Sequence, residues 1–218
     1  MFWALALNET FDHKSMDPLL KAIKILEPID RKYPDHPGVT HYLIHSYDFP
    51  PIAKRGVAAA NKYPKIAPSA PHAQHMPSHI YSMVGMWEES VMSNWRSVVI
   101  ATDYAAKAKL DGTLGGVPHA YDFMAYAYLQ LGQDIKARAL IQDAASIKKS
   151  ALGPTNARWS ERHRSRACEV ARTALSARVK PARTPRSRAR TPRARVLCPP
   201  HPDPLLRIEE RETERNQR

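Results

Sequence analysis

Cysteine is nearly missing from the chain: 2 residues in 218, Cys168 and Cys198, stand thirty positions apart. They give neither a disulfide framework nor a metal-ligand spacing, and the redox compartment stays open. Long apolar runs are missing too. The opening MFWALALNE is too short to span a bilayer and lacks the charged leader and small-residue cleavage site of a signal segment. The expectation is therefore no membrane partner and, by default, the cytoplasm. No serine or cysteine carries the local signature of a nucleophile. GTLGG, from Gly112, lacks the preceding strand and following lysine of a phosphate loop.

Basic charge is plentiful but unevenly placed. Residues 1–150 hold 16 Lys+Arg against 14 Asp+Glu, whereas residues 151–218 hold 17 against 7. The pI of 9.8 therefore belongs to the tail, and it is no nucleic-acid signal for the body. The alphabet changes at the same place, from 12 Lys and 4 Arg in the body to 1 Lys and 16 Arg in the tail. So abrupt a switch points to a change of reading frame beyond about residue 150. The rival reading is a disordered basic arm, ARTPRSRARTPRARV, that binds polyanions through phosphate contacts. Nucleic acid is expected as a partner through this tail alone.

The body repeats itself. PGVTHYLIHSYDFPP from Pro37, PHAQHMPSHIYSMVGMWEES from Pro71 and PHAYDFMAYAYLQLGQD from Pro118 share one opening, 34 and 47 residues apart. The second interval is the first plus thirteen inserted residues. Fourteen residues after each proline stand Pro51, Gly85 and Gly132, where one helix must turn into the next. Each unit is thus a helix, a tight turn and a second helix. Small residues fall at the eighth, twentieth and twenty-seventh places of the last unit, Ala125, Ala137 and Ala144, and of the middle one, Ser78, Ser90 and Ser97. The first unit holds Ile44, Gly56 and Tyr63 there. Small side chains let two helices approach closely. A half-unit with Ala22, Leu26, Ile29 and Pro34 precedes these three.

Over roughly residues 15 to 149 this period and punctuation resemble the tetratricopeptide repeat (TPR) family. The fold expected is all-α: a TPR-like α-solenoid of antiparallel helix pairs over residues 1–150, with a disordered Arg/Pro-rich tail over residues 151–218. The amino end reads as the remainder of a unit whose beginning is missing, because Trp3, Leu5 and Leu7 need a partner surface. Asp17 before Pro18 predicts a capped helix start, and Pro28 predicts a kink. The inserted residues lengthen a second helix through Ala105, Ala106 and Ala108, then break at LDGTLGGV. Trp87 and Trp95 read as inter-helix core, and KYPK at Lys62–Lys65 as a solvated charge pair.

Histidine carries whatever chemistry the body has. Seven of ten histidines lie between His36 and His119, and they hold phase with the repeat. His72 and His119 take the second place of their units, and His41 and His75 the fifth, with Asp122 there in the last unit. His45 and His79 take the ninth, and Asp48 the twelfth. These places share one helix stripe, which the resemblance implies lines a concave groove. The candidate ligand-binding residues are therefore His41, His45, Asp48, His72, His75, His79, His119 and Asp122.

Two readings follow. In the first, the chain is a protein–protein interaction scaffold whose histidine-lined groove binds a peptide or protein partner. In the alternative, His41, His45, His75, His79 and Asp122 hold zinc or another divalent transition metal, because imidazoles at i and i+4 reach one ion. A hydrolytic version lacks a base, since Tyr42 and Met76 stand where a zinc-protease helix has glutamate. No catalytic residue is assigned.

Overall fold

In the computed structural model the described residues are 1–12, 14–147 and 151, all within the first of two units, Met1–Lys180, the second being Pro181–Arg218. The expected basic tail, its two cysteines and its polyanion-binding arm lie outside the described residues.

The described residues form helices and connections, with no strand among them. In order they are α1 (Phe2–Glu9), α2 (Asp17–Lys32), α3 (Pro37–Tyr47), a 3-10 turn (Ala53–Gly56), α4 (Val57–Ile66), α5 (Pro71–His75), α6 (Pro77–Val84), α7 (Trp87–Lys107), α8 (Gly116–Gln130) and α9 (Asp134–Ser146). Each helix packs on its sequence neighbours: α1 on α2, α2 on α3, α3 on α4, α6 and α5 on α7, α7 on α8, α8 on α9. This is an all-helical body of packed helix pairs, compatible with a helical repeat.

The small residues explain how the pairs close. Ser78, Ser90, Ser97, Ala125, Ala137 and Ala144 are all buried, and so is Gly56. A Cβ added at Gly56 would stand 2.8 Å from both Ile80 Cδ1 and Tyr47 Cβ, so α3, α6 and the 3-10 turn meet there at a distance only glycine permits. Larger apolar side chains fill the remaining space. Leu19, Leu26, Ile44, Met76 and Ile80 are fully buried across α2 to α6, while Val91, Val98, Val117, Met124 and Leu140 make a second cluster across α7 to α9. Burying each large side chain is worth about 2 kcal/mol. Trp87 and Trp95 pack against the second cluster, as inter-helix core residues do.

Punctuation follows residue chemistry. Gly85 ends α6 at φ 78° and Gly132 follows α8 at φ 70°, left-handed conformations that glycine adopts without a Cβ clash. Pro37 and Pro71 open α3 and α5, where a missing N–H costs nothing. His36 caps α3, its Nδ1 accepting from the Val39 amide at 3.3 Å.

Two local expectations are corrected, at Asp17 and at Lys62. Asp17 is the first helical residue of α2 rather than its cap, and its amide donates to Ser15 Oγ. Helix α2 continues through Pro28 to Lys32. Lys62 is not simply solvated: it pairs with Asp30, both partly buried, and ties α4 to α2. In α1 it is Ala4 that is buried, while Phe2 and Trp3 are 74% and 69% exposed. The inserted loop and the end of α7 line a hollow of about 480 Å³ that holds no histidine. No helix among the described residues is long and apolar enough to cross a membrane.

Candidate metal centre

Six imidazoles from four helices gather in one belt. His41 and His45 lie one turn apart on α3, His72 and His75 on α5, His79 on α6 and His119 near the start of α8. Pro77 breaks the first helix of its unit into α5 and α6. His75 Nε2 and His79 Nε2 nevertheless stand 3.0 Å apart across that break.

The belt resolves into two trios, His41–His45–His72 and His75–His79–His119, in each of which one ligand atom per residue lies within 4.8 Å of the others. In the first, His41 Nε2 is 3.1 Å from His45 Nε2 and 3.1 Å from His72 Nε2. The trios adjoin, with ring centroids 6.1 Å apart for His45 and His79 and 6.0 Å for His72 and His75. Sequence phase separates His72 and His119 from the i, i+4 pairs; contact of α8 with α5 and α6 brings His119 to His75 and His79, while His72 on α5 reaches His41 on α3. Asp48 and Asp122 belong to neither trio.

Asp48 has a different place. Its Oδ2 accepts from His79 Nδ1–H at 2.7 Å, and its Oδ1 is buried without a hydrogen-bond partner. Asn94 on α7, which nothing in the repeat phase singles out, does the same for His75: its Oδ1 is 2.6 Å from His75 Nδ1. The Asn94 amide is held in that sense because its Nδ2 donates to Ser90 O at 2.8 Å. An oxygen acceptor at Nδ1 requires the proton there, so in the neutral ring Nε2 carries a lone pair.

Aromatic walls desolvate the rings. Tyr63 stacks on His41 at 5.6 Å and an interplanar angle of 11°. Phe123 lies 5.1, 4.8 and 5.1 Å from His75, His79 and His119. Burial, helped by the neighbouring imidazoles, pushes His41 down to about 3 and His45 down to about 4, Asp48 opposing the shift at His45. Burial likewise holds His75 well below the ordinary histidine range and lowers His72. His41, His45 and His75 are therefore neutral near pH 7, the state in which imidazole ligates metal.

The Nε2 atoms of His75 and His79 face each other at 3.0 Å while their Nδ1 atoms are engaged by Asn94 and Asp48. With both Nδ1–H groups so committed, a cation, either a proton or a metal ion, must lie between the two Nε2 atoms. A proton can bridge two nitrogens but not three, and each trio offers three. Imidazole nitrogens about 2.0–2.1 Å from a tetrahedral zinc ion sit roughly 3.3–3.4 Å from one another, close to the 3.1 Å of His41 to His45 and to His72 and the 3.0 Å of His75 to His79.

Compared with protein-family models, curated proteins and solved structures, the chain matches none of them.

Proposed function

We propose that this chain is a transition-metal-binding protein built on a TPR-type helical repeat frame. His41, His45 and His72 hold one ion, and His75, His79 and His119 a second. Support for the frame comes from the 34-residue period, the buried small residues and the neighbour-on-neighbour packing. The observation that carries the metal reading is the convergence of three ring nitrogens in each trio, with the Nε2 atoms of His75 and His79 facing each other and each ring fixed through Nδ1 by Asn94 or Asp48. Carboxylate– and amide–histidine–metal relays of this kind orient the ring and raise ligand basicity. All six ligands are nitrogen, which suits zinc or copper rather than magnesium or calcium.

Metal analysis of the purified full chain after zinc reconstitution and dialysis tests the proposal. Two ions per chain are expected, falling to one in the double variant His75→Ala, His79→Ala. Zinc in excess should raise the melting temperature, because a ligand at 100 times its Kd stabilises by about 2.7 kcal/mol. A chain that binds no zinc and does not change its melting temperature refutes the reading. The scaffold reading would then gain ground, with its own expectation of a metal-free groove that binds an extended peptide.

A further inference from the structure

The two trios are chemically alike but differently placed, and the difference runs one way. His75 is 3% exposed. His72 is the one exposed member of the two trios. Anchoring follows the same gradient. In the inner trio, His75 and His79 are pinned at Nδ1 by Asn94 and Asp48. In the outer trio the hydrogen-bonding contacts run between Nε2 atoms, from His45 to His41 and from His72 to His41. Among the described residues no carboxylate or amide fixes these rings from behind.

We infer that the outer trio, His41, His45 and His72, is a port through which metal ions enter and leave, and that the inner trio, His75, His79 and His119, is the seat that retains them. This rests on the metal reading of the same site. Three features support it. Groups that hydrogen-bond a ligating histidine from behind typically contribute about 10–100-fold to metal affinity, so the inner ion is the tighter one by at least about tenfold. The trios touch at two places, His45 with His79 and His72 with His75. An ion can therefore pass by exchanging one imidazole at a time, without giving up all its ligands to water at once. Asp48 stands where the passage ends: three residues after His45, hydrogen-bonded to His79, with a buried oxygen that no donor meets. Its negative charge favours a cation moving inward.

Passage through the outer trio predicts a kinetic effect that separates from affinity. The full chain loaded with two equivalents of zinc is mixed with a chromogenic chelator in a stopped-flow instrument, and the reverse loading is followed after chelator removal. The wild-type chain should release zinc in two phases of equal amplitude. His72→Ala should lose the fast phase, and the remaining ion should load and leave more slowly by the same factor in both directions, its equilibrium affinity unchanged. His72→Gln, which keeps the size of the side chain, should behave alike. His72 is exposed, and unchanged circular dichroism and melting of the metal-free variants establish that they fold. Two bound ions whose inner exchange rates are untouched by both substitutions would overturn the port while leaving metal binding intact. A single release phase for both ions would overturn it equally, and a chain that takes no zinc removes both inferences together.

Discussion

Acid should destabilise the metal-free protein well above the range in which carboxylates titrate. In the folded chain burial holds His41 near 3, His45 near 4 and His75 well below its ordinary value, whereas in the unfolded chain each titrates at about 6.5. Between those limits the unfolded chain takes up protons that the folded chain refuses. Folding stability is therefore full above about pH 6.5 and falls as the pH drops toward the folded values. An imidazole that stays neutral in the fold costs about 2 kcal/mol on going from pH 7 to pH 5. His75, fully buried, contributes that amount. His41 and His45 are partly exposed, and solvent screening reduces each to about 1 kcal/mol. The sum, about 4 kcal/mol, is a large share of the 5–15 kcal/mol expected for the whole domain. Urea denaturation in EDTA at constant ionic strength should show the midpoint falling by about 2 M between pH 7 and pH 5. Glu27, whose carboxyl is lowered by its hydrogen bond from Tyr47, contributes its loss below 4.5 and so outside this window. A midpoint that stays flat over the window, or a His75→Gln variant with the wild-type slope, would show that these rings are not buried neutral.

Two further outcomes follow from other contacts. Asn94→Ala should weaken the inner ion by about 10–100-fold in a chelator competition and leave the outer ion unchanged, because it frees His75 to rotate and to take the other tautomer. Gly56→Ala should lower stability by about 1–3 kcal/mol in a thermal melt, since its Cβ would meet Ile80 and the Cβ of Tyr47 at 2.8 Å; an unchanged melting temperature would mean that α3 and α6 can move apart without cost.

Much of the frame was legible in the chain. The prolines that open helices, the glycines that turn them and the small residues between them follow a 34-residue rhythm, and the helices sit close to where that rhythm puts them. Asp17 stands one residue inside the helix it is expected to cap, because tertiary packing outweighs one residue's preference at a helix end. Lys62 looked solvated because its partner, Asp30, lies 32 residues away on α2. The histidine pairs at i and i+4 were visible from spacing alone, and so was their shared stripe. Asn94 was not visible, because it sits on the second helix of a unit, in no fixed phase with His75. Phe123, which walls three of the rings, had no signal beyond an apolar residue on a helix.

The sequence by itself determined that helices would pair and that imidazoles would line one face of them. Both are consequences of short-range periodicity, which is written locally in the chain. Only the tertiary structure decided that six rings fall into two trios, which ring nitrogens face one another, and that Asp48 stands behind His79 rather than beside it as a ligand. Those facts depend on distances between side chains 19 to 44 residues apart, such as His75 with Asn94 and His75 with His119, set by how closely Gly56 and the small serines and alanines allow the helices to approach.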